Sequence, residues 1–224
     1  MHGRRRVRPE RKNMKKKLLI MSVAMVLVCA FAVGMTIAYL TSTDQVVNTF
    51  TVGNVRIQLD EAAANPDGSL IEGAPRVKAN RYKLIPGHTY NKDPMVTVLE
   101  GSEESYIKMT VTFSNSRQLD EIFGVGTDLT TIFHGYDGTT WIYKDNTEDA
   151  SANTRTYEFW YKEEVAAPDA DVALDALFDS ITVPGNINNN QLATIEGMTI
   201  TVNAYAIQAD GFASAEAAWE AFAN

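Results

Sequence analysis

Apolar and polar residues alternate along this chain between short turn-forming stretches. The pattern predicts a mostly β protein: an antiparallel β-sandwich of jelly-roll or Greek-key type with one or two short helices. Three observations carry that reading. Ile107, Met109, Val111 and Phe113 alternate with Lys108, Thr110, Thr112 and Ser114, the pattern of a strand with one buried face. Asn65-Pro66-Asp67-Gly68, Pro86-Gly87, Tyr136-Asp137-Gly138 and Pro184-Gly185-Asn186 punctuate the chain with turn chemistry. No cysteine follows Cys29, so the body must be held by a hydrophobic core rather than by disulfides.

The N-terminus comes first. Residues 1–38 carry nine basic side chains and one acid, Glu10, a net +8; the whole chain is −8, so residues 39–224 carry −16. An uncharged run of 23 residues, Leu18 to Leu40, follows the basic stretch. A basic segment, an apolar run and a small-residue exit describe a secretory signal. Thr36 and Ala38 supply the small residues, so cleavage is expected between Ala38 and Tyr39. Met14 opens a compact version of the signal, with residues 1–13 an upstream extension. An uncleaved anchor helix is the alternative, since roughly 20 apolar residues span a bilayer. Either way the basic residues stay inside and the remainder faces outward. The expected organisation is therefore a leader, 1–38, and one extracellular domain, 39–224. Export follows the general secretory route, and membrane contact is through the N-terminal segment alone. Cys29 lies inside the apolar run and is not placed for lipid attachment.

The body then reads strand by strand. Phe50 and Val52, then Val55, Ile57 and Leu59 after a bulge-like Gly53-Asn54 slip, form the first. Val77–Leu84, Met95–Leu99 and Thr139–Tyr143 are shorter candidates. Tyr157, Phe159 and Tyr161 alternate with Glu158, Trp160 and Lys162, and Met198, Ile200, Val202, Ala204 and Ala206 make a late strand. Two stretches have helical spacing: Leu174, Leu177, Phe178 and Ile181, and then Ala215, Ala218, Trp219 and Phe222 behind a capping Ser214.

Catalytic patterns are missing. His88 and His134 sit in separate turn regions with no H-E-x-x-H stretch, the spacing that puts two zinc ligands on one helix face. There is no G-x-S-x-G elbow and no phosphate-binding glycine loop. Asp145, Asn146, Glu148 and Asp149 offer oxygen ligands without the EF-hand spacing and read as a polar loop. No cofactor is expected, with calcium at most weakly held and zinc without a motif. The body has eleven Lys and Arg, scattered along it, which argues against nucleic acid as a partner. Trp141, Tyr143, Tyr157, Phe159, Trp160 and Tyr161 are read as core and cross-strand packing, with an exposed sugar-binding platform as the alternative.

Gly34-Met35-Thr36-Ile37-Ala38-Tyr39-Leu40-Thr41 followed by Asn48-Thr49-Phe50-Thr51-Val52-Gly53-Asn54-Val55 resembles the TasA/camelysin family of Gram-positive bacteria. The likeness continues at Pro86-Gly87, Lys92-Asp93-Pro94 and Ala204-Tyr205-Ala206-Ile207-Gln208-Ala209-Asp210-Gly211-Phe212. The resemblance implies a SipW-type signal peptidase as processing partner. It also implies a jelly-roll subunit of extracellular biofilm matrix fibres, with other matrix or cell-wall components as neighbours. Such subunits polymerise with themselves when an N-terminal segment of one copy completes a sheet of the next. Here that segment is Tyr39–Phe50, with Tyr39, Leu40, Val46, Val47 and Phe50 as its apolar residues. The alternative is that Val47–Leu59 is the first strand of its own sheet. The name camelysin implies a surface metallopeptidase as a rival, for which this sequence has no zinc motif. A monomeric ligand- or sugar-binding module is the third reading.

Overall fold

The computed structural model describes residues 19–22, 53–124, 126 and 128–222. The chain divides into two units, Met1–Thr51 and Val52–Asn224. In the first, residues 19–22 are helical and exposed. Thr36 and Ala38 of the expected cleavage site, and Tyr39, Leu40, Val46, Val47 and Phe50 of the expected donor segment, lie outside the described residues. Among the described residues no helix is long and apolar enough to cross a membrane.

The second unit is mostly β with antiparallel sheets, as the alternation predicts. One layer is a five-stranded sheet. Its order is β11 (Ile200–Gln208), β4 (Ser102–Ser114), β7 (Thr154–Tyr161) and β6 (Trp141–Asp149), with β8 (Val165–Ala167) continuing beside β4. The other layer has two three-stranded parts. They are β1 (Ile57–Asp60), β3 (Met95–Val98) and β9 (Val172–Ala173), then β2 (Thr89–Asn91), β10 (Ser180–Thr182) and β5 (Phe133–His134). The break falls where Pro94, which has no N–H, interrupts the path from β2 to β3. Bonds from Lys92 N–H to Asp179 O and from Leu177 N–H to Pro94 O carry the pairing across it.

One core lies between the layers. β4 sends Ile107, Met109, Val111 and Phe113 inward and β7 sends Tyr157 and Phe159; Val96, Val98, Phe178 and Ile181 come from the facing side. Phe133 stacks on Phe178 at 4.0 Å. Burying each such side chain stabilises the fold by about 1.5–3 kcal/mol. The C-terminal helix forms as predicted, Ala215–Phe222, with Ala217 N–H donating to Ser214 Oγ at 3.3 Å. It lies on the outer face of the five-stranded sheet, with Trp219 6.2 Å from Trp160 and the Lys108 ammonium 4.6 Å over Trp219.

Four sequence expectations are corrected. Leu174, Leu177, Phe178 and Ile181 are buried but not helical. Leu174 N–H bonds to Val96 O and Asp179 N–H to His134 O, so neighbouring strands take the bonds a helix would have kept. The stretch expected as strand from Val77 to Leu84 makes a single bridge, Val77 with Glu61, and Asn80 N–H turns to the Glu61 carboxylate instead. Among the described residues the first strand begins at Ile57 and leaves out Val55, because residues 53–56 follow the turn into β4, with Glu103 N–H donating to Asn54 O; Val52 of that expected strand lies outside the described residues. Asp145, Asn146, Glu148 and Asp149 belong to β6 rather than to a loop. Two short helices were not anticipated: Ser116–Phe123, which buries Leu119 and Ile122, and Asn189–Thr194, closed by an Asn188–Gln191 capping box.

Candidate assembly groove

Along one side of the sandwich β1 and β11, from the two layers, approach each other without pairing. The open seam runs between β1 and β11. Cα register shows which backbone groups line it. Ser114 N–H bonds to Thr199 O and Ala209 N–H to Glu104 O, so the odd-numbered residues of β11 face β4. The N–H and C=O groups of Ile200, Val202, Ala204 and Ala206 therefore point away from β4, into the seam. On β1, Leu99 N–H bonds to Arg56 O, so Ile57 and Leu59 present their backbone outward. Among the described residues no strand pairs with either free edge.

The side chains at these positions are the incompletely buried part of the core. Ile57, Leu59, Tyr82, Leu84, Leu192, Met198, Ile200, Val202, Ala204 and Ala206 are all only partly covered. In contrast, Met109, Val111 and Phe113 on the adjacent strand are fully buried. The resulting groove has a stretch of about 600 Å³ between β1 and β11. A second stretch of about 1060 Å³ lies between residues 79–84 and residues 189–201. Beneath it a cavity of about 50 Å³ is walled by Phe113, Leu119, Ile181 and other apolar side chains.

A polar network stiffens the β1 wall. Lys92 Nζ is 2.5 Å from Glu61 Oε2, and the Glu61 carboxylate also accepts Asn80 N–H and Nδ2–H at 3.0 Å. Arg76 bridges Asp60 at 2.5 Å and Asp93 at 2.8 Å. Lys78 Nζ donates to the outward carbonyl of Leu59 at 2.6 Å. Burial, with the Glu61 charge nearby, pushes the Tyr82 hydroxyl above the ordinary tyrosine range, so it stays protonated and donates to Asn91 O. Four of the eleven cations of the body, Lys78, Arg81, Lys83 and Lys92, line this groove, and all four fall between residues 78 and 92 of the sequence.

The other sequence candidates do not converge. His88 precedes β2 and His134 lies on β5, both exposed. Among the described residues no group of three His, Cys, Asp or Glu is placed to hold a metal ion. Asp145 and Asp149 face outward from β6, while Asn146 donates to Tyr143 Oη and Glu148 meets Arg155 at 3.3 Å on the opposite face. Alternation along a strand therefore splits the oxygen cluster. Of the six aromatic residues singled out, Trp141, Tyr157 and Phe159 are buried, and only Tyr143 is exposed. No protein family, no curated protein and no solved structure matches the chain.

Proposed function

We propose that this chain is an exported structural subunit of the cell surface or biofilm matrix, and that it polymerises by strand addition. In this reading a SipW-type peptidase frees Tyr39, and the Tyr39–Phe50 segment of one copy lies in the β1–β11 groove of another. The single observation that carries it is the coincidence, on β11, of a backbone edge unpaired among the described residues and half-buried apolar side chains at the same four residues. An added strand satisfies the first and covers the second. Val46 and Phe50 are suited to the apolar floor, and each side chain fully covered contributes about 1.5–3 kcal/mol before ordering costs.

The family resemblance at residues 34–55 and 204–212 agrees with this reading. So does the strand count: with β2–β3, β7–β8 and β9–β10 each taken as one broken strand, both layers have four strands, the number a double-sheet jelly roll calls for. The test compares residues 39–224 with residues 48–224 by sedimentation. The longer form is expected to give high-mass species and the shorter one to remain monomeric. Monomers from both, over a wide range of concentration and pH, would overturn the reading. Since neither form contains a cysteine, Val46→Cys mixed with Val202→Cys should also yield a disulfide between copies.

A further inference from the structure

The two ends of the sandwich carry different charge. Residue 53, where the described body begins, sits at the start of β4: a Cβ on Gly53 would come within 3.1 Å of Glu103 Cγ. Around it are the exposed carboxylates of Glu100, Glu103, Glu104 and Asp171, with Glu100 N–H bonded to Asp171 Oδ1. Arg56 is the cation among them, and its guanidinium is bonded to the Glu100 carbonyl. The mouth of the groove lies at the far end of β4, where Ser114 N–H meets Thr199 O. β4 has 13 residues, so these ends are about 40 Å apart.

At that mouth stand Arg81 and Lys83, both exposed, with Glu196 across the groove. Among the described residues neither cation is in an ion pair, whereas Arg76, Lys92, Lys108, Lys144 and Arg155 each are. Two cations, exposed and without an ion pair among the described residues, are therefore presented at the entrance of the groove by a body whose net charge is −16.

We propose that successive copies stack head to tail, with the acidic end around Gly53 of one copy seated on the Arg81–Lys83 mouth of the next. This rests on the strand-addition reading and adds the orientation of the incoming copy. The segment that would be donated leaves the body at the acidic end, so seating that end on the mouth delivers the segment directly into the groove. A contact between two different surfaces at opposite ends is heterologous, and propagates as a filament where its rotation does not close a ring. The general repulsion between acidic bodies disfavours other encounters, while the cation pair selects this one.

The experiment is a charge exchange in the mature chain. One variant carries Arg81→Glu with Lys83→Glu, the other Glu103→Lys with Glu104→Lys. All four side chains are exposed, so thermal unfolding should match the unaltered protein. Each variant alone presents like charges at every contact and is expected to assemble at least about tenfold more slowly. Mixed in equal amounts, each offers the other an opposite charge at both ends, and assembly should return to within about twofold of the unaltered rate. Normal assembly of either variant alone, or a mixture no faster than its parts, overturns the head-to-tail contact and leaves strand addition standing. Failure of the unaltered 39–224 chain to assemble overturns both.

Discussion

β11 and β6 both end the five-stranded sheet, and they present different edges. β6 carries Lys144, Asp145, Glu148 and Asp149, and its register with β7 shifts between Tyr143 and Asp145, a bulge that leaves Lys144 out of the pairing. Charges and bulges are the devices that keep an edge strand from recruiting another chain. β11 has neither. Ile200–Gln208 contains no charged residue and pairs with β4 in unbroken register. Its inward side chains are only partly covered, whereas Trp141 at the start of β6 is fully buried. Among the described residues the sheet is thus guarded on one side and unpaired and unguarded on the other. That asymmetry is what the assembly reading explains.

Proline substitution on β11 gives the largest expected effects. Asn203 N–H faces β4, so Asn203→Pro removes a ladder bond and should cost about 3 kcal/mol or more of stability, read by thermal or denaturant unfolding. Ala204 N–H faces the groove. Ala204→Pro should therefore leave the fold largely intact and abolish the high-mass species seen by sedimentation. If Ala204→Pro assembles as well as the unaltered chain, β11 is not the edge that receives a strand.

Disarming β6 should have a smaller effect of the opposite kind. Lys144→Thr with Asp145→Thr removes two guarding charges and is expected to produce association that persists after residues 39–47 are deleted. The Lys144 ammonium also lies 4.1 Å over Trp160, so unfolding should register a loss of about 0.5–1 kcal/mol. Light scattering that stays flat for this variant would show that the bulge and the remaining charges, Glu148 and Asp149, suffice to protect the edge.

The smallest effect belongs to the turn after β6. Ser151 Oγ and the N–H groups of Ala152 and Ser151 hold the Asp149 carboxyl below the usual carboxylate range. The folded value is depressed relative to the unfolded one. This contribution is therefore fully present above the ordinary carboxyl range and disappears as pH falls through the folded value. An NMR titration should place Asp149 below a model aspartate, and Asp149→Asn should make the acid-side loss of stability slightly shallower.

The strands with clean alternation were legible in the sequence. Residues 107–114, 157–161 and 200–206 all appear where period two put them, because each packs one face on the core. Leu174, Leu177, Phe178 and Ile181 misled because helical spacing records only that four residues are apolar. Their backbone bonds were taken by β3 and β5, which lie far away in sequence. The helix at Ser116–Phe123 escaped notice because its short buried stripe rests on Leu119 and Ile122. A signal for the groove was present in the uncharged run of β11, although it does not say which of two edges such a strand shows to solvent.

By itself the sequence determined the β class, the polarity of the N-terminus and the positions of the main strands. Those depend on local periodicity and charge, which a linear chain carries openly. Tertiary structure alone decided that β1 and β11 lie side by side without pairing, their apolar residues half covered. It also divided the acids of β6 between two faces. Such properties arise from which strands become neighbours, and that choice is made by long-range burial rather than by any residue's own preference.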